Sequence, residues 1–224
     1  MPRPLLALEG VSLASPEGRV VFQDLDWKLD RGARWHLQGN QGTGATALLR
    51  LCAGLARPRE GRVVLDGREI DLDALDHPFI NAGDLGWVPT DGGLAVNLTL
   101  LDNVALPLRF SRKVGREEAR EEALRWLERA GLGRSAASRP RLPADRACWM
   151  TALARAGAKG SRLWLVDRPA GGLDPESRKA AHAILEEAAR DPETTLVLVG
   201  GDWMEDLGAG LRIEDGRLAT GSAP

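Results

Sequence analysis

An α/β fold built around a largely parallel sheet is what this 224-residue sequence predicts. Three observations carry that expectation. Short runs of β-branched and large apolar residues, bounded by Gly, Pro and Asp, alternate with Leu- and Ala-rich segments at helical spacing. A glycine-rich loop stands between one such strand and one such helix. The last third of the chain returns to strand and helix in strict alternation, the pattern that lays strands side by side in parallel. No internal repeat, low-complexity tract or long linker interrupts the chain. Residues 1–224 therefore read as one continuous domain.

In order along the chain, Leu6 to Leu13, Arg19 to Leu29, Arg34 to Gln38 and Arg62 to Asp66 read as strands. Gly39 to Gly44 interrupts them with three glycines in six residues, and Thr46 to Leu55 follows as a Leu-rich helix. The middle, from Asp91 to about Ala158, reads as mostly helical, an inserted lobe. Within it, Arg116 to Ala130 aligns Ala119, Ala123, Leu124, Leu127 and Ala130 on one face and stops at Gly131. Leu163 to Val166 follows as a buried strand, Pro175 to Arg190 as an amphipathic helix, Leu196 to Val199 as a strand, and Leu211 to Leu218 as a hairpin.

Composition excludes several classes. No apolar run approaches the roughly 20 residues that span a bilayer. Thirty basic against thirty-two acidic residues give a net charge of -2, too little for a global field that holds nucleic acid or an anionic membrane. Cys52 and Cys148 fit no metal spacing, and no basic-then-apolar leader opens the chain, so a reducing cytoplasm is expected. Only four of the thirty basic residues are lysines, and tyrosine is absent. A coding bias towards Arg is one reading. Loss of lysine from positions that ordinarily need one is the other.

The segment from Gly39 to Thr46 has the context and spacing of a phosphate-binding loop, G-x-x-x-x-G-K-S/T. There, glycine amides curl around phosphates, the following helix adds its positive end, and a hydroxyl holds Mg²⁺. Gly39, Gly42, Gly44 and Thr46 suit those roles. The lysine that would reach the phosphates is Ala45. A tight turn with no ligand is the competing reading of the same glycines.

Downstream, Asp167 closes the strand Leu163-Trp164-Leu165-Val166 and is followed by Arg168-Pro169-Ala170-Gly171-Gly172-Leu173-Asp174-Pro175. This stretch resembles the Walker B and D-loop segment of ATP-binding cassette (ABC) ATPases. Pro58 to Gly67 is similar to the family's R-P-x-x-G-x-V-x-x-D-G, Leu98 to Leu108 to its L-T-V-x-x-N-V-A-x-P-L, and Ala152 to Ala156 to its A-x-A-R-A. The run from Asp91 to Arg109 most resembles the ATPases of Mce/Mla-type lipid transporters. The resemblance implies a P-loop NTPase fold of the ABC-cassette type. Its parts would be a RecA-like parallel-sheet core, an N-terminal antiparallel β subdomain and a helical subdomain inserted over 91–158.

Matched residue by residue to the family, the chain departs wherever chemistry is done. Ser15-Pro16 stands in place of the aromatic that stacks on adenine. Thr90 replaces the glutamine that senses Mg²⁺, with a side chain too short to reach the same ligands. The signature L-S-G-G-Q aligns with Pro143-Ala144-Asp145-Arg146-Ala147, so Ala144, Asp145 and Arg146 replace its phosphate-facing residues and Asp145 would turn a negative charge towards phosphate. Arg168 replaces the glutamate general base and cannot accept a proton at physiological pH. Gly201 replaces the switch histidine. Arg168 either stands in for the lost lysine or pairs with Asp167 or Asp174, and Thr46 and Asp167 are expected to keep structural hydrogen bonds in place of a working Mg²⁺ site.

No catalytic residue and no metal site is therefore expected, and no cofactor beyond a residual weak hold on ATP and Mg²⁺. The resemblance implies a subunit on the cytoplasmic side of an inner membrane, attached through a permease partner and paired as a homodimer or with another ABC ATPase. Neither nucleic acid nor direct membrane contact is expected. The alternatives are a weakly ATP-binding subunit of an active ABC lipid transporter and a cytosolic interaction module, in which Trp126, Trp149 or Trp203, tryptophans being core residues as a rule, would be exposed anchors. Among lesser features, the acidic run Asp71 to His77 reads as a solvated face, His36 as a core or edge residue and His182 as solvent-facing.

Overall fold

The computed structural model describes residues 3–15, 18–38, 42–71, 85–141, 143–214 and 216–220. An antiparallel sheet comes first, in the order β2-β1-β4-β5, from β1 (Leu6–Ala14), β2 (Val20–Leu29), β4 (Glu60–Leu65) and β5 (Arg68–Glu69). The second sheet has six strands in the order β10-β9-β3-β8-β7-β6. It comprises β3 (Arg34–Gln38), β6 (Leu85–Val88), β7 (Leu163–Val166), β8 (Thr195–Val199), β9 (Ala209–Glu214) and β10 (Arg217–Thr220). β9, β3, β8, β7 and β6 run parallel, and β10 returns antiparallel as a hairpin.

Strand periodicity sorts the core into two layers. On β7 and β8, Trp164, Val166, Leu196 and Leu198 face one apolar cluster, and Leu163, Leu165, Val197 and Val199 face the other. The first cluster is covered by α2 (Leu100–Ser111), α3 (Arg116–Arg129), α4 (Arg146–Lys159) and α5 (Pro175–Arg190). α1 (Ala45–Cys52) and the antiparallel sheet cover the second, through Leu48, Leu49, Phe22 and Val63. Full burial of each large side chain contributes about 1.5–3 kcal/mol, so both layers are committed to this sheet. The helices of the middle segment share one apolar cluster with the sheet rather than enclosing a core of their own.

Two expectations shift. The first helix stops at Cys52 because the Leu55 amide turns back to the Arg50 carbonyl at 2.7 Å and closes the end. Leu124 lies off the α3 stripe and is 37% exposed, whereas Ala119, Ala123 and Leu127 are fully buried. Pro107 sits inside α2. That helix is held instead by its Thr99 cap, which accepts from the Asp102 amide at 3.0 Å, and by buried Asn103, which clamps Ala95 through both its amide nitrogen and oxygen.

Cys52 and Cys148 are buried free thiols, and desolvation raises the pKa of both. His36 is buried on β3, and His182 meets Asp206 at 3.1 Å rather than facing solvent alone. Of the acidic run, residues 72–77 lie outside the described residues. Among the described residues, no helix is long and apolar enough to cross a membrane, and no three His, Cys, Asp or Glu converge as metal ligands.

Candidate functional site

The glycine loop joins β3 to α1, at the carboxyl edge of the parallel sheet where ligands of such folds bind. Gly39 lies outside the described residues. Gly42 and Gly44 take left-handed φ values of 91° and 97°, and a Cβ on Gly44 would come within 2.7 Å of Val21. Gly44 caps α1, so the amides of its first turn point out of the helix end. Ala45, at the first helical position, is buried in the cluster that holds Phe22.

Asp167 lies at the end of β7, fully buried. Its Oδ2 accepts hydrogen bonds from the hydroxyls of Thr46 at 2.7 Å and Thr90 at 2.9 Å. Its Oδ1 accepts from the Arg168 amide at 2.9 Å, and its backbone carbonyl accepts from the Trp149 indole at 2.8 Å. The structure thus brings Thr46, Thr90 and Asp167 together around one carboxylate. Thr90, too short for a sensing glutamine's work, instead ties β6 to β7, and its carbonyl accepts from the Ala170 amide at 3.0 Å.

These residues do not fit Mg²⁺ with nucleotide. Mg²⁺ is held through one or two carboxylates together with substrate phosphates, balanced here by no lysine. The single carboxylate already accepts three internal hydrogen bonds, and the next side chain along the strand end is a guanidinium.

Arg168 leans over the turn after β8. A Cβ on Gly200 would lie 3.1 Å from Arg168 Cβ and 3.4 Å from its Nε. Gly201 has φ 79°, and a Cβ there would fall 2.6 Å from the Trp203 Nε1. A histidine at 201 would be strained by the left-handed backbone and would require the Trp203 indole to shift.

The signature-aligned segment is committed to local structure. Asp145 caps α4, accepting from the amides of Ala147 at 2.9 Å and Cys148 at 3.2 Å, so its carboxylate is turned to its own helix. Arg146 donates to the Ser177 hydroxyl at 2.8 Å and pairs with Asp174 at 3.2 Å. The Asp174 expected as a partner of Arg168 is therefore held by Arg146. Asp174 also caps α5, and the Ser177 amide, with Arg146 beside it, holds its carboxyl below the usual range. Ala144 is half-buried and offers no hydroxyl. Sequence reasoning missed the Arg146–Asp174 link, because 28 positions separate the partners and only the packing of α4 beside α5 brings them together.

Two open cavities flank these residues. One, of about 350 Å³, is lined by residues 42–47, Arg19, Arg50, Thr90 and Arg168. The other, of about 420 Å³, is a groove between the sheet edge and the helices, lined by Leu55, Trp87, Pro107, Arg155 and Lys159. In it the Arg155 guanidinium donates to the carbonyls of Gly93 at 3.1 Å and Gly92 at 3.2 Å, and burial pushes its pKa down to about 10. The tryptophans that the alternative reading offered as anchors are not exposed. Trp149 is core, Trp203 meets it edge-on at 6.4 Å, and Trp126 packs against the same cluster under the Arg129 guanidinium.

Residues 22–171 match the model of a family described as ABC transporter. The lipoprotein-releasing system ATP-binding protein LolD of Pseudomonas syringae pv. tomato is 32% identical over 206 residues, 91% of this chain and 90% of that protein. The methionine import ATP-binding protein MetN 1 of Rhodococcus jostii is 31% identical over 80% of this chain and 53% of its own length. Among solved structures, the ATP-binding cassette MJ0796, a dimer in a post-hydrolysis state with ADP and phosphate, superposes with a TM-score of 0.82. It is 25% identical, and the match covers 96% of this chain and 98% of that one. A second dimeric MJ0796 structure gives 0.83 at 26% identity.

Proposed function

The chain belongs to the ABC transporter family, and from that premise we propose that it is a pseudo-ATPase: a cassette kept as a structural or regulatory subunit of a membrane transporter. One observation carries the proposal. Arg168 occupies the position of the family's general base, directly after an Asp167 whose carboxylate is engaged by Thr46, Thr90 and the Arg168 amide. Loss of a general base or a phosphate-clamping charge lowers rate by roughly 10²–10⁴-fold for each group, though such losses do not multiply freely. Base, lysine, sensor and switch are all replaced here.

Pairing does not repair the site. In the family's dimers each site joins the phosphate loop of one chain to the signature of the other. A competent partner's loop would face Ala144, Asp145 and Arg146, of which the last two are engaged within this chain. Both homodimer and heterodimer with another ABC ATPase are then inactive at every site this chain helps to build. Residues 91–158 act as the helical subdomain, and a permease seats in the groove lined by Trp87, Pro107 and Arg155, on the cytoplasmic face of the membrane. The transported substrate is lipidic. The likeness of residues 91–109 to Mce/Mla-type ATPases and the lipoprotein-releasing relative LolD both support that class.

A second reading keeps weak ATP binding within an active lipid transporter, and the preserved Gly42, Gly44 and Thr46 favour it. Phosphate-release assays with Mg-ATP at millimolar levels separate the two. Background turnover is expected, and saturable hydrolysis lost on changing Asp167 would refute the pseudo-ATPase. Affinity purification from the native cell should recover a permease. Recovery of the chain alone would remove the transporter assignment.

A further inference from the structure

The cavity above the glycine loop has exchanged one kind of positive charge for another. Where the family places a lysine and a metal ion, this chain has buried Ala45 and a carboxylate engaged in internal hydrogen bonds. Three guanidinium side chains instead line the same 350 Å³ space: Arg19 from the residue before β2, Arg50 from α1 and Arg168 from just past the end of β7. Arg19 reaches the Gly42 carbonyl at 3.4 Å, so it stands against the loop itself. Thr46 and Thr90 line the cavity floor, each donating its hydroxyl hydrogen to Asp167.

Guanidinium groups carry a charge at any physiological pH and present paired donors that match phosphate oxygens. They neutralise a phosphate chain without a metal. Among the described residues, the wall has no aromatic ring for a base to stack on, since those lining the cavity are Arg, Val, Gly, Thr and Ala. We propose that this cavity binds a polyphosphate anion, through Arg50, Arg168 and Arg19, independently of divalent cations and without recognising a nucleobase. The proposal deepens the pseudo-ATPase reading of the same site, since a ligand held without Mg²⁺ is a ligand held without hydrolysis.

Isothermal titration calorimetry of the full chain at low salt tests it, with inorganic tripolyphosphate and ATP as probes, each in EDTA and in excess Mg²⁺. Both probes should bind saturably in EDTA and within about tenfold of each other, since a missing stacking contact is worth at most about that factor. Chelation of the probes by Mg²⁺ should weaken both, and rising salt should weaken them further. Arg168→Ala and Arg50→Ala should each lower affinity about ten- to a hundredfold, the worth of a hydrogen bond to a charged group. Arg50 lies on the exposed side of α1, so Arg50→Ala reports even where Arg168→Ala fails to fold, and a thermal melt of each variant separates the cases. Lack of saturable binding in EDTA, a requirement for Mg²⁺, a preference for ATP beyond tenfold, or unaltered affinity in folded variants would each overturn the proposal. Failure of tripolyphosphate to bind, with Mg-ATP turnover at background, would remove this inference alone. Turnover above background would remove the pseudo-ATPase reading beneath it.

Discussion

The hydroxyl of Thr46, in the first turn of α1, donates to Oδ2 of Asp167, at the end of β7, across 2.7 Å. In a working cassette the corresponding hydroxyl and acid are the metal's neighbours. Here they join two elements of the core directly, with Thr90 as a third member at 2.9 Å. The chemistry of the pair is now that of a buried hydrogen-bonded hub.

Asp167→Ala should therefore act on stability. It leaves two hydroxyls and the Arg168 amide without their acceptor in a fully buried position, at a cost of about 2–4 kcal/mol after the hydroxyls reorient. Urea unfolding reads this as a lower midpoint at unchanged slope.

Restoring the missing side chains should not restore turnover. The double variant Ala45→Lys with Arg168→Glu still meets Asp145 folded onto its own helix cap and Arg146 tied to Asp174. Phosphate release from Mg-ATP by this variant is expected at background.

Gly201→His, another return to the family residue, should be disruptive rather than silent. A left-handed backbone at φ 79° and the Trp203 indole 2.6 Å from the new Cβ cost about 1–3 kcal/mol. Trp203 must move, and its edge contact with Trp149 with it, so the near-ultraviolet circular dichroism should change along with the melting temperature.

Asp174 makes part of the fold's stability depend on pH. Its carboxyl is held below the ordinary range by the Ser177 amide and by Arg146. A depressed folded-state pKa contributes stability above the unfolded value of about 3.9, and that contribution is lost as pH falls through the folded value. Asp174→Asn should lower the melting temperature at pH 7, and the difference from wild type should shrink to nothing under strongly acid conditions. A difference that persists there would assign the effect to the cap geometry alone.

The positions that departed from the family were legible as departures in the sequence, because each is a local substitution in a spaced motif. What the substituted residues do instead was less so. Asp145, read as a charge turned towards phosphate, also caps α4, a role that its alignment to the family did not suggest. Trp149, which the sequence left open between core and surface anchor, is core, because α4 lays that face on the sheet. Leu124 kept helical spacing with its stripe but falls at the edge of the face that α2 and α4 cover.

By itself the sequence determined the α/β class, the strand, loop and helix around Gly44 and the residue type at each position of the family's motifs, all of which follow from residue type and short-range spacing. Only the tertiary structure decided that Thr46, Thr90 and the Arg168 amide converge on one carboxylate, that Arg146 closes on Asp174, and that Arg19, Arg50 and Arg168 line one cavity. Apart from the Arg168 amide, which is next to Asp167 in sequence, those partners lie tens to more than a hundred positions apart. Packing a parallel sheet between two apolar layers is what brings them within a hydrogen bond or across a single cavity.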